Sequence, residues 1–242
     1  MPHDEKPDRD PWPPLEVPTE LGSGEVDWGL AFEPGTVLGD RYQIRSALGA
    51  GGMGEVWHAF DIKLRVEVAL KGVRPELVVD EVRRESLRSE VRGAREVVSP
   101  NVCRVFDLIE IDGQELVSME YVDGTTLLEV LRDRAPLDPP EAQQIASQFL
   151  EGLEAIHRAG LVHRDVKPEN IMVTRTGRVV VMDFGLARSA AEGAGTVSGT
   201  RAYMAPEQAE GVTDARSDLF SAGVILAEMV SPGGIRDFES RK

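Results

Sequence analysis

Gly49-Ala50-Gly51-Gly52-Met53-Gly54-Glu55-Val56 is the stretch on which the fold turns. A glycine triplet at this spacing is a weak signal alone, and a plain flexible turn accounts for it equally well. What glycine offers is close approach, because without a Cβ the backbone N–H groups can lie against phosphate oxygens. The flanks separate the possible uses. Tyr42 and Ile44 alternate with polar neighbours ahead of the glycines, and Glu55 to Phe60 reads as a second short strand behind them. Glycines between two strands predict a hairpin flap over a ligand; a dinucleotide-binding turn would lead from a strand into a helix.

Outward from the flap, Val66, Val68 and Leu70 alternate again. In Val68-Ala69-Leu70-Lys71 the small Ala69 and the cationic Lys71 share one face of the strand, leaving room for a flat ring beside a charge. A lysine in an apolar strand is expensive to bury, and an edge-strand lysine is the plainer alternative. Leu87, Val91, Ala94 and Val98 predict one helix stripe. Residues 102–111 and 114–122 predict two strands around the turn Asp112-Gly113, with Cys103 in the first as a small buried hydrophobe. After Gly124 the pattern is helical: Ala142, Ile145, Phe149, Leu153 and Ile156 form a stripe that Gly160 stops. A strand pair, 171–173 and 179–182, brackets Arg175-Thr176-Gly177. Residues 216–230 are apolar on most sides and predict a deeply buried helix. A strand-rich half joined to a helix-rich half implies two lobes with a cleft between them.

Three further motifs carry chemistry. His163-Arg164-Asp165-Val166-Lys167-Pro168-Glu169-Asn170 places a carboxylate, an ammonium and an amide in a polar loop after a long helix, which packing does not explain. Asp183-Phe184-Gly185 follows the apolar run Val179 to Met182, and a carboxylate at a strand end suits a hard cation such as magnesium. Ala205-Pro206-Glu207 follows Gly199-Thr200.

Together and in this order, from about residue 38 to residue 231, these motifs resemble the protein kinase superfamily, and most of all the eukaryotic-like Ser/Thr kinases of bacteria. The resemblance implies an α+β, bilobal protein-kinase-like fold. Its N-lobe would be a small antiparallel β-sheet with one helix, and its C-lobe mainly helical and here incomplete. It implies ATP and Mg2+ as cofactors. Gly49, Gly51 and Gly54 would cover the phosphates, and Lys71 would bind the α- and β-phosphates with Glu90 as its helix partner, Glu85 being the alternative. Asp165 would accept or orient the substrate hydroxyl proton, Lys167 would steady the γ-phosphate, and Asn170 and Asp183 would hold magnesium. Leu48, Val56, Ala69, Met119 and Met172 would wall the adenine, with backbone groups of Glu120 and Val122 bonding the ring. Thr196, then Ser198, are the candidate regulatory phosphosites, with Arg164 and Arg188 as phosphate ligands; a plain loop hydroxyl is the alternative for Thr196. Asp218 would hold the catalytic loop, and Glu207 would pair with an arginine beyond the chain given.

The implied function is ATP-dependent transfer of the γ-phosphoryl group to Ser/Thr hydroxyls of protein substrates, in signalling and with autophosphorylation. A truncated, non-catalytic nucleotide-binding or scaffolding module is the alternative, and an unstable remnant or a small-molecule kinase are further ones. The expected organisation is an acidic, Pro-rich disordered tail over 1–37, the N-lobe and hinge over 38–122, and a partial C-lobe over 123–242. Residues 1–40 hold ten acids and two bases, a net of −8 out of −15 for the chain, which argues against a nucleic-acid or membrane-surface binder. Protein substrates are the expected partners, with a homodimer for trans-autophosphorylation left open. No membrane segment is read in the chain, no signal peptide is expected, and one cysteine fits a reducing, cytoplasmic setting.

Overall fold

The computed structural model describes residues 32–51, 54–75, 78, 80–184 and 202–231. The first half is a six-stranded antiparallel sheet: β1 (Val37–Leu38), β2 (Tyr42–Gly51), β3 (Gly54–Asp61), β4 (Val66–Gly72), β5 (Val105–Ile111) and β6 (Gln114–Glu120), in the order β1-β2-β3-β4-β6-β5. Helix α1 (Glu81–Glu96) intervenes between β4 and β5 in the chain and packs on β5. Strand alternation gives the sheet two apolar faces. Val68 and Leu70 join Tyr42, Ile44, Trp57 and Leu116 in one cluster, while Ala69, Val105, Val117 and Met119 face Leu87, Val91 and Ala94 of α1 in the other. Fully burying each such side chain is worth roughly 1.5–3 kcal/mol, so the curled sheet is held from both sides.

The second half holds β7 (Gly124–Thr126), α2 (Leu127–Arg134), α3 (Pro139–Arg158), β8 (Ile171–Thr174), β9 (Val179–Val181) and α4 (Ala215–Val230). Local chemistry starts and stops these helices. Thr126 and Glu129 cap α2 reciprocally, as Asp214 and Ser217 do for α4. Gly160, at φ +76°, ends α3 by donating its N–H to the His157 carbonyl at 2.9 Å. The α3 stripe of Ala142, Ile145, Phe149, Leu153 and Ile156 is buried, and the helix packs on β9. The two halves are stitched where the chain leaves α1. Cys103 N–H donates to the Val181 carbonyl and Val181 N–H to the Asn101 carbonyl, each at 2.9 Å.

Several expectations are corrected here. The tail reaches into the fold: Phe32 lies 4.8 Å from the Trp57 ring, and Gly35 N–H bonds the Ile44 carbonyl, so residues 32–37 belong to the first half. Residues 1–31 lie outside the described residues. Helix α1 stops at Glu96, so Val98 is 68% exposed and Val97 takes its place in the core. Cys103 is buried but precedes β5. Helix α4 buries one face only, and Leu219, Phe220 and Val230 are exposed on it.

Candidate functional site

Strands β2 and β3 form the glycine flap, with Gly49 opposite Val56, Ala50 opposite Glu55 and Gly51 opposite Gly54. Gly52 and Met53 lie outside the described residues. The glycines do different things. A Cβ on Gly49 would meet open space, whereas Gly54 has φ +147° and a Cβ there would collide with the Gly72 carbonyl oxygen. Gly54 is thus required by the close passage of β4, and Gly49 leaves room beneath the flap.

Below the flap, Ala69, Met119 and Val122 are buried in the main cluster, with Val56 and Met172 packed against it. Leu48 stands apart, 48% exposed next to a register shift in β2. The N–H of Glu120 donates to the Arg104 carbonyl at 2.8 Å and its carbonyl accepts a long contact of 3.6 Å from Cys103 Sγ, so a ligand would share that carbonyl.

Lys71, on β4, is 6% exposed, and its Nζ pairs with Asp183 Oδ1 at 2.8 Å. The ion pair seen at Lys71 is thus with Asp183, where Glu90 was the expected partner. Glu90 accepts a hydrogen bond of 3.4 Å from Ser86 Oγ, and Glu85 turns outward to Arg92 at 2.6 Å. Burial works to raise the pKa of Asp183, but the charge and hydrogen bond of the Lys71 ammonium, together with lesser charge from neighbours such as Lys167, hold the carboxyl below the ordinary carboxylate range. Asp183 also sits at φ +57°, a left-handed conformation that a non-glycine residue adopts only when its surroundings impose it.

The loop 163–170 converges on the same place. Lys167 Nζ pairs with Asp165 Oδ2 at 2.8 Å. Asn170 Nδ2 donates to the Asp165 carbonyl at 2.7 Å and to Asp165 Oδ2 at 3.1 Å, which leaves the amide oxygen of Asn170 as its ligand atom. Met182 N–H donates to the Asn170 carbonyl at 2.8 Å, so Asn170 and Asp183 are neighbours. His163 is fully buried; its Nε2–H donates to the Met182 carbonyl at 2.9 Å while Nδ1 accepts the Asp165 N–H at 3.4 Å. Burial pushes its pKa below the ordinary value, so the ring is neutral.

Asp218, on α4, fixes this loop. Its carboxylate accepts the N–H of His163 at 2.8 Å and of Arg164 at 2.9 Å, and meets His157 Nε2 at 2.7 Å. Arg164 is thereby held at φ +72°, with its carbonyl bonded by Gln208 Nε2 at 3.0 Å. His157 and Gln208 escape the sequence reading. The only local trace of Gln208 is its i, i+3 spacing from Ala205, whose N–H it caps. Glu207 Oε1 accepts from Ser217 Oγ at 2.8 Å. Gly185, Arg188, Thr196, Ser198, Gly199 and Thr200 lie outside the described residues.

A metal fits this donor set. Asp183 is an ionised carboxylate and Asn170 offers an amide oxygen beside it. Magnesium is commonly held by one or two protein oxygens plus phosphates and water, rather than by an all-protein cage. Among the described residues no group of three or more His, Cys, Asp or Glu is placed to hold an ion. A separate cavity of about 280 Å³ lies between α1 and the β5–β6 hairpin, lined by Val73, Val78, Arg84 and Glu115 among others, and none of the candidate residues borders it.

Comparison with known proteins agrees with this geometry. A family model described as protein kinase domain matches residues 42–235. A probable serine/threonine-protein kinase of Streptomyces coelicolor, SCO3848, is 42% identical over 205 residues, covering 80% of this chain and 30% of the relative. The serine/threonine-protein kinase PknB of Mycobacterium leprae is 39% identical, over 80% of this chain and 33% of its own length. The chain therefore spans about a third of these relatives. Among solved structures, the PknI kinase domain of Mycobacterium tuberculosis superposes with a TM-score of 0.68 at 28% identity, over 87% of this chain and 86% of that one.

Proposed function

The chain belongs to the protein kinase domain family, and from that premise we propose that it transfers the γ-phosphoryl group of ATP to Ser/Thr hydroxyls of protein substrates, with Mg2+. The observation that carries the reading is the convergence of Lys71, Asp183, Asn170, Asp165 and Lys167 on one cleft through contacts of 2.7 to 3.1 Å. Phosphoryl transfer asks little covalent chemistry of a protein. It asks for alignment and for neutralised charge. Magnesium, when bound, would neutralise phosphate charge. Asp183 and Asn170 would hold it through their oxygens. Lys71 would give its ammonium to phosphate oxygens, and Asp165 would orient the incoming hydroxyl and take its proton. Lys167, already beside Asp165, would shield the charge between that carboxylate and the transferred group. Ala69, Val56 and Met172 would sandwich the ring. The cytoplasm is the compartment that suits this chemistry. Autophosphorylation in trans, with Thr196 as the first site and Ser198 as the second, belongs to the same proposal.

The test is phosphate transfer from labelled ATP to a protein acceptor by the full chain, with phosphosites mapped by mass spectrometry. Asp165→Asn should lower kcat by about a thousandfold, and Lys71→Met should abolish phosphate on Thr196. Stabilisation by ATP and magnesium without any turnover would instead select the non-catalytic nucleotide-binding module.

A further inference from the structure

We propose that Arg178 is a positioning residue for the nucleotide: its guanidinium clips the crossing between the strand-rich upper lobe and the helix-rich lower lobe to the three-stranded sheet β7-β8-β9 of the latter, and limits how far the lobes part. This rests on the ATP reading above. Arg178 sits in the turn between β8 and β9. Its Nη2 pairs with Glu120 Oε1 at 2.7 Å, and its Nε donates to the Pro100 carbonyl at 2.7 Å. Glu120 ends β6, where the chain crosses to the lower lobe; Pro100 begins the segment bonded to β9. One planar fork thus grips two stretches, the end of β6 and the segment that follows α1. A lysine ammonium lacks that geometry.

Neither end of the clip has slack. The turn carrying Arg178 is pinned by Gln148, whose Nε2 donates to the Gly177 carbonyl at 2.9 Å and whose Oε1 accepts the Val179 N–H at 3.0 Å. Glu120 Oε2 accepts the Arg104 N–H at 3.3 Å. The next residue, Tyr121, is held from the opposite side: its ring stacks on His58 at 3.9 Å and 8°, and His58 Nε2 meets Glu67 Oε2 at 2.7 Å. Consecutive side chains of the crossing therefore reach to opposite sides, Glu120 to Arg178 below and Tyr121 to His58 above. The ring of a nucleotide would bond backbone groups at 120 and 122, so their orientation is set before binding rather than by it.

The experiment compares Arg178→Gln, Arg178→Lys and Glu120→Gln in the full chain. Without nucleotide, amide hydrogen exchange at Glu120 should quicken about tenfold in Arg178→Gln. KM for ATP should rise about five- to tenfold while kcat stays within about twofold. Arg178→Lys should fall between, and the Arg178→Gln, Glu120→Gln double variant should add nothing to either single change. Unchanged exchange at Glu120 overturns the clip, whether or not any phosphate is transferred. A lower melting temperature with unchanged exchange and KM would reveal mere structural support and overturn it too. Absence of turnover in the unaltered chain would sink the kinase reading, and the exchange measurement would still decide the clip.

Discussion

The loop that carries Asp165 and the strand that carries Lys71 face the same cleft, yet they are held in opposite ways. In the loop, hydrogen bonds over-determine the backbone: Asp218 takes two N–H groups, Gln208 bonds the Arg164 carbonyl, and the His163 ring bonds Met182. The upper strand offers its lysine with one ion pair, across the cleft, to Asp183. The lower lobe is thus preorganised by several bonds to backbone groups, whereas the upper strand's lysine is held by an ion pair between side chains. Preorganised donors lose nothing to rearrangement at the moment of reaction, while an exchangeable ion pair can be regulated.

The comparison breaks most readily at Asp218. Removing a buried carboxylate that faces two N–H groups and an imidazole should cost about 3–5 kcal/mol. Asp218→Ala should show that loss in denaturant unfolding; a loss under about 1 kcal/mol would mean the loop holds itself. The next effect concerns the lysine. In thermal melts without nucleotide, Asp183→Asn should cost about 1–2 kcal/mol, more than Glu90→Gln, because Lys71 pairs with Asp183. The reverse order would place Glu90 as the partner. Acid should then weaken the molecule. The pKa of His163 is held below the ordinary 6.5, so the unfolded chain takes up the proton first; the stability is complete above 6.5 and declines as pH falls. Asp183 adds a second loss below the ordinary 3.8. A melting temperature that stays flat or rises from about pH 7.5 to 5.5 contradicts this. Phe32→Ala, which strips the ring from Trp57 at the rim of the upper sheet, should cost only about 1 kcal/mol in the same melts.

Much of the site could be read from spacing, because Asp165, Lys167 and Asn170 sit within six residues of one another and Asp183 ends a strand. What escaped reading was long-range. The partner of Lys71 is 112 positions away and was chosen by lobe geometry, not by helix phase. Arg178 and Glu120 are 58 positions apart, and His157 and Asp218 are 61. Val98 fitted the α1 stripe as well as any residue, but Val97 adopts an extended conformation and ends the period. Phe32 was hidden because acids and prolines around it outweigh one aromatic in any compositional reading.

The stitch between Asn101, Cys103 and Val181 gives α1 unequal ends. Its tail is moored to the lower lobe through the segment that follows, although by sequence it belongs above. Any displacement of α1 would pivot about that mooring, with Glu81 at the far end of the lever and Glu90 nearer the fixed end.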